Sequence, residues 1–275
     1  MKRLLVVPRR TSQTPDEAVV GAPDLFTPRD YDLVEISVVF TGDINESLRL
    51  QSMWLAYSEN VEIGGPAFGA DGGDRFEPGR FVKKGIVHTS RGCPHRCPFC
   101  YVWRREGGIR ELPITEGNIL QDNNILACSE AHQERVFEML AGQKQVRFLG
   151  GLDGCYITRR KAEMIARLKP LDVWTANDGQ REKLSLRGIH LLREAGLSQD
   201  KVRCYVLIGF DETMEAATAR LNRTLMAGAM PFAQLYDGVG ANGERLKAWK
   251  RLAREWSRPA IIRTKITALR GKEGE

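Results

Sequence analysis

The sequence predicts an α/β protein, with a small Rossmann-like α/β unit over residues 1–80 and a (β/α)6-type partial TIM barrel over residues 81–275. Three observations predict it. From residue 85 onward, short runs rich in Val, Ile and aromatic residues alternate with longer segments of helical periodicity, the rhythm of a parallel sheet covered by helices. Six such runs are enough to build a partial or closed barrel. Glycine and polar residues collect at the carboxyl ends of the runs, where the chemistry of such folds sits.

Taken in order, LLVV (4–7) and DLVEISVVF (32–40) read as buried strands, and NESLRLQSMWLAY (45–57) as an amphipathic helix. VEIGGPAF (61–68) reads as a further strand ending in glycines. GADGGDRFEPGR (69–80), rich in Gly, Asp and Pro, reads as a linker. GIVHTS (85–90) is a strand that runs straight into a cysteine-rich loop. QVRFLGG (145–151), LDVWTAND (171–178), KVRCYVLIGF (201–210), PFAQLYDG (231–238) and AIIRTKI (260–266) are the other five strands. Helices are expected at 130–141, 159–168, 184–195, 215–227 and 244–256.

A chain of 275 residues can bury a substantial core. Its 42% hydrophobic and 28% charged residues match an ordinary soluble protein. No apolar run reaches the ~18 residues of a membrane helix, and LLVV is too short for a signal peptide. A cytoplasmic location with no membrane partner is expected. The cysteines, six in all, are too few for a disulfide scaffold, which favours a reducing compartment. Residues 1–80 carry 8 Lys and Arg against 13 Asp and Glu, the remainder 33 against 22, and residues 241–275 alone 10 against 4. This basic excess is compatible with RNA, DNA or a phosphorylated small molecule. The plainer reading is a solvated helix face, because ERLKAWKRLAREW alternates charges with apolar residues at helical spacing.

Three cysteines, Cys93, Cys97 and Cys100, fall within the stretch TSRGCPHRCPFCYVW. Three thiolates this close serve zinc, an iron–sulfur cluster or redox exchange. Structural zinc takes four ligands, and His95 or His88 could supply the fourth. A ferredoxin-type cluster takes four cysteines, and the next one, Cys128, is far along the chain. Three ligands to a four-iron cluster leave one iron open, the mark of a reactive site.

The spacing C-x3-C-x2-C, with Phe99 before the last cysteine and a strand before the first, resembles the radical S-adenosylmethionine (SAM) superfamily. It is most similar to the branch with an N-terminal cobalamin-binding-type domain, here shortened. The resemblance covers roughly residues 81–265. It implies that Cys93, Cys97 and Cys100 bind a [4Fe–4S] cluster and that the open iron chelates SAM. The cleaved SAM would yield a 5′-deoxyadenosyl radical that abstracts hydrogen from a substrate. Phe99 would contact the adenine. FLGGLDG resembles the Gly-Gly-Glu that ends the family's second strand, with Gly150 and Gly151 aligned and the carboxylate one residue late, at Asp153. Asn177 and Asp178, ending the third strand, are candidates for the SAM ribose or carboxylate, or for a helix cap. Gly209 and Phe210 resemble the adenine-contact segment at the end of the fourth strand, with Asp211 or Thr213 as a helix cap. Asp122, Asn123 and Asn124 lie in a longer connection than the family usually has, where they bind SAM or substrate or form an Asx turn. Cys155 is the candidate thiol for action on a substrate radical, whereas Cys204, mid-strand, is expected to be a small buried hydrophobe.

The first 92 residues lack cysteine, and none follows Cys204, so a single cluster is expected. No Asp-x-His-x-x-Gly motif precedes His88, so cobalamin is not the favoured cofactor, although a cobalamin-dependent radical methyltransferase is the nearest alternative. A non-catalytic iron–sulfur or zinc protein that binds nucleic acid through its basic C-terminal helix is the alternative outside enzymes. A radical SAM enzyme further implies an electron donor of flavodoxin or ferredoxin type.

Overall fold

The run VRCYVLI buries Val202, Cys204, Val206 and Ile208 and leaves Arg203, Tyr205 and Leu207 half-buried on its other face. That two-residue period is a strand with one face under helices and the other toward a partly open concavity. In the computed structural model, which describes residues 2–69, 77, 79–236 and 243–272, it is one of six strands in a parallel sheet. The chain is a mixed α/β protein with two parallel sheets.

The first sheet holds β1 (Arg3–Val7), β2 (Val19–Val20), β3 (Leu33–Ser37) and β4 (Val61–Gly64) in the order β2-β1-β3-β4. Helix α1 (Ile44–Trp54) packs on it through Leu50 and Trp54, which join Val6, Val34, Ile36 and Val38 in a separate small core. The large sheet runs β12-β11-β10-β9-β8-β5, with β5 at Ile86–Val87, β8 at Ile119–Leu120, β9 at Arg147–Leu152, β10 at Asp172–Ala176, β11 at Val202–Ile208 and β12 at Met230–Leu235. A two-stranded antiparallel pair, β6 (Ser90–Arg91) and β7 (Arg110–Glu111), brackets the cysteine loop and the short helix α2 (Val102–Arg105).

The expected helices appear as α3 (Glu130–Ala141), α4 (Arg159–Arg167), α5 (Glu182–Glu194), α6 (Met214–Met226) and α7 (Gly243–Glu255). Side-chain caps start three of them: Ser129 accepts from His132 N, Thr158 from Lys161 N and Thr213 from Ala216 N. Thr213, not Asp211, is thus the cap of α6.

Two departures alter the strand count. AIIRTKI is not a strand but lies within helix α8 (Pro259–Lys272). Proline near the start suits a helix, and burial recurs at Ile262 and, partly, at Ile266, four residues apart, while Arg263 and Thr264 are exposed. The β-branched run lost to periodicity. The sixth strand is instead β8, two residues within the segment read as a connection, too short for any pattern to reveal. Gly150–Gly151 therefore lie near the end of the third strand of the large sheet, Asn177–Asp178 follow the fourth and Gly209–Phe210 the fifth. GIVHTS also splits, its first half joining the large sheet and its last residue the antiparallel pair. In the 69–80 linker, residues 70–76 and 78 lie outside the described residues, as do residues 237 and 238 at the end of PFAQLYDG.

β9 is irregular where it matters. Phe148 pairs with Val173 but Leu152 with Thr175, so the strand bulges through Gly150 and Gly151. Gly150 is required by close approach, since a Cβ there would lie 2.0 Å from Asp122 O. Gly151 has φ +88 and nothing within 4 Å of where its Cβ would be. The bulge re-aims the chain so that Asp153 and Cys155 meet the cysteine loop. No helix among the described residues is long and apolar enough to cross a membrane.

Candidate metal centre

The cysteine loop is held from behind by the segment after β8. Asp122, 2% exposed, accepts Thr89 N and Thr89 Oγ1 at 2.6 Å and Ser90 Oγ at 2.8 Å. Burial raises its carboxyl pKa while those donors pull it back. Asn123 Oδ1 accepts Gly92 N at 3.0 Å, fixing the residue before Cys93. Asn124, also 2% exposed, donates through Nδ2 to Cys93 Sγ at 3.7 Å and to Asp153 Oδ2 at 3.2 Å. Its Oδ1 is buried without a hydrogen-bond partner among the described residues. Within the loop, Cys97 O accepts Cys100 N at 3.1 Å and Trp103 Nε1 at 2.9 Å.

These contacts place Cys93, Cys97 and Cys100 on the wall of a cavity of about 630 Å³ at the carboxyl ends of the large sheet. All three are half-buried free thiols. Burial raises the pKa of Cys97 and Cys100, with Asp178 a further contribution for both. Among the described residues the three sulfurs do not all lie within 4.8 Å of one another.

Phe99, Gly150, Gly151, Asn123, Asn124, Asp153, Cys155 and Asp178 line the same cavity. Asp153 is the hub: Oδ2 lies 2.7 Å from His95 Nε2, and Oδ1 accepts Cys155 N at 2.9 Å. The ligand-type atoms of His95, Asp153 and Cys155 all fall within 4.8 Å of one another. His95 stacks on Tyr156 at 5.7 Å. Burial, reinforced by Asp153, pushes the Cys155 thiol up to about 11, so it stays protonated at neutral pH. Burial likewise pushes Asp178 up to about 6, against the pull of the Arg220 guanidinium.

Four of the expected residues lie off the cavity wall. Asp122 faces Thr89 and Ser90 rather than the cavity. Asn177 is fully buried and turned away, donating to Thr224 Oγ1 at 3.0 Å and accepting Gly179 N at 3.3 Å. Successive residues at a strand end point to opposite sides, and Asp178 took the inner one. Gly209 donates its N–H to Glu212 Oε1 at 3.0 Å and is absent from the cavity wall, as is Phe210. Phe210 instead meets the rings of Phe99 at 5.4 Å and Tyr236 at 5.0 Å, bracing the residues that do line it.

The cavity also includes His95, Gln180, Arg181, Tyr205 and Tyr236. His95 stood in the sequence only as a zinc ligand. Tyr205 was findable from the alternation in β11. Gln180 and Arg181 carried no signal beyond their nearness to Asp178. Cys204, fully buried with its thiol pushed up to about 12 by burial, is the inert hydrophobe expected. His88 is buried as a neutral ring, its pKa lowered to about 4 by burial and by Arg91.

No protein-family model matches this chain, and no curated protein matches its sequence.

Proposed function

We propose that the chain is a radical SAM enzyme with a single [4Fe–4S] cluster on Cys93, Cys97 and Cys100, and that the large sheet and its helices are a (β/α)6-type partial barrel. The observation that carries this is the convergence of Cys93, Cys97 and Cys100 on one cavity at the carboxyl ends of parallel strands, while the fourth cysteine on its wall, Cys155, lies with His95 and Asp153. The donor set fits the group. A tetrahedral zinc with Zn–S of about 2.3 Å needs sulfurs about 3.8 Å apart. Among the described residues the three sulfurs are not in a set of ligand atoms that all lie within 4.8 Å of one another, so they are not gathered for one such ion. A cationic centre also offsets the burial that holds Cys97 and Cys100 protonated. When bound, cluster and SAM together supply a 5′-deoxyadenosyl radical for hydrogen abstraction, at the expense of one electron from a flavodoxin- or ferredoxin-type donor.

The chain's own residues shape that chemistry. Gly151, with no atom within 4 Å of where a Cβ would stand, keeps its stretch of the cavity wall open, as a bound SAM would need. Asp153 and Asp178 would offer polar groups to it and Phe99 an aromatic edge, while Asn123 and Asn124 hold the loop through Gly92, Cys93 and Asp153. Cys155 keeps a hydrogen on Sγ at neutral pH, a source of hydrogen facing the same cavity.

Anaerobic reconstitution with iron and sulfide tests this. About four iron and four sulfide per chain are expected, with release of 5′-deoxyadenosine from SAM on reduction. C93A, C97A and C100A should each lose iron, whereas C204A should keep it. A colourless protein with one bound zinc would falsify the proposal.

A further inference from the structure

The loop that carries the cysteines has a second, outward face. Between residues 92 and 110 the single carboxylate is Glu106, whose side chain is 8% exposed and paired with Arg91. Against it stand Arg96, Arg104, Arg105 and Arg110, all exposed and in no ion pair among the described residues. Elsewhere in the large unit Arg159, Arg160, Arg223 and Arg263 pair with Glu194, Glu134, Glu182 and Asp200, whereas other exposed arginines, Arg167, Arg187 and Arg258 among them, stand in no ion pair among the described residues. What sets the loop apart is density, with four exposed arginines against one paired carboxylate between residues 92 and 110.

These cations are also organised by aromatic rings. Tyr101, 56% exposed, has the Arg104 guanidinium 5.8 Å and the Arg105 guanidinium 5.4 Å from its ring centre. Arg104 also lies 5.1 Å from the Trp103 ring. A guanidinium held over a ring presents planar, forked donors, the geometry for phosphate oxygens and for stacking against bases. Segment 85–143 contains no lysine. Tyr101 and Val102 line the cavity as well as the loop, so the patch is continuous with the cavity mouth.

We infer that this face is a docking surface for single-stranded nucleic acid, with the sugar–phosphate chain crossing Arg96, Arg104 and Arg105 and one nucleotide reaching the cavity past Tyr101. The inference deepens the proposed function, and rests on it for the nucleotide in the cavity, by naming the substrate class. A flexible single strand matches the combination of basic track and aromatic platform, because every base has a face to stack. An acidic protein would need the cations but not their stacking on rings.

The test is fluorescence anisotropy of a labelled single-stranded RNA, and separately DNA, of about 12 nucleotides, with the full chain before and after reconstitution. At least one strand should bind, with affinity falling between ~50 and ~200 mM KCl at a log–log slope of about −2, as about three phosphate contacts require. R104E/R105E should lose at least about tenfold in affinity, and Y101A about fivefold or more. K250E/R251E, which reverses two exposed cations on α7, should change it less than about twofold. A duplex of the same sequence should bind more weakly, and millimolar inorganic phosphate or a nucleoside monophosphate should not displace the strand. No binding of either strand would overturn the inference. So would loss of binding in the α7 variant alone, equal binding of the duplex, displacement by the mononucleotide, or capture of an acidic flavodoxin in place of both strands. Because binding is read before the cluster is installed, a colourless protein that still binds the strand would refute only the cluster.

Discussion

Replacing Asp178 by Asn should stabilise the cluster-free protein at neutral pH while weakening its hold on SAM. The structure pushes this carboxyl from 3.8 to about 6, chiefly by burial. Two pKa units at 1.36 kcal/mol each correspond to a cost of at most about 3 kcal/mol for carrying the charge at pH 7.5, and about 1–3 kcal/mol is a realistic range. The sign follows from proton counting. Between pH 3.8 and about 6 the folded state binds more protons than the unfolded one, so Asp178 makes stability fall as pH rises through that window. D178N removes the cost, so its melting temperature at pH 7.5 should exceed the wild type's by about 3–8 °C, a gain that shrinks toward zero near pH 4.

His88 works the other way. Its folded pKa is depressed from 6.5 to about 4, so its contribution is present above pH 6.5 and lost as pH falls toward 4. In the wild type the two slopes oppose each other, and D178N should expose the steeper acid loss due to His88. Thermal melts at pH 4, 5, 6 and 7.5 would show it, with isothermal titration of SAM into the reconstituted protein as the second readout. An unchanged or lower melting temperature at pH 7.5, or a gain equally large at pH 4, would refute the burial argument. Undiminished SAM binding would remove Asp178 from the site.

Gly150→Ala should destabilise the large unit by about 2–4 kcal/mol, because its Cβ would meet the Asp122 backbone, which cannot move without releasing Thr89 and Ser90. Urea denaturation checks this, and a change under about 0.5 kcal/mol would mean that β8 and β9 approach less closely than described. Asn124→Ala removes the donor to Cys93 Sγ and should move the midpoint potential of the reconstituted cluster to more negative values, read by electron paramagnetic resonance during redox titration. An unmoved potential would leave Asn124 as a tether for Asp153 only.

The legible parts of the fold were those with redundant local signals. α3, α4 and α6 each combine an amphipathic period with a capping side chain, and their starts lie within one residue of expectation. β11 alternates without exception, so its inner and outer residues could be separated in advance. The failures have the opposite character. β8 is held by pairing with neighbours on both sides, through Ile119–Arg147 and Leu120–Phe148 on one and Ile86–Ile119 on the other, not by its own two residues. AIIRTKI has β-branched propensity but contributes one fully buried residue, Ile262, so packing chose a helix.

The same distinction explains the site. Residue type and spacing singled out Cys93, Cys97 and Cys100 as one group, and the structure sets all three on one cavity wall. Direction was not readable for the polar residues around them. Asp122, Asn123 and Asn124 were grouped as ligands, yet they end at Thr89, at Gly92, and at Cys93 with Asp153. They are better understood as one device: a carboxylate and two amides that convert the end of a two-residue strand into a frame for the cysteine loop. Asn124 has a cost within it, since an unpartnered buried amide oxygen forfeits about 1–3 kcal/mol. A stability-driven sequence would place an apolar residue there. An amide that reaches both Cys93 and Asp153 makes sense if the loop and the carboxylate must keep a fixed relation, which is what a reacting centre between them requires.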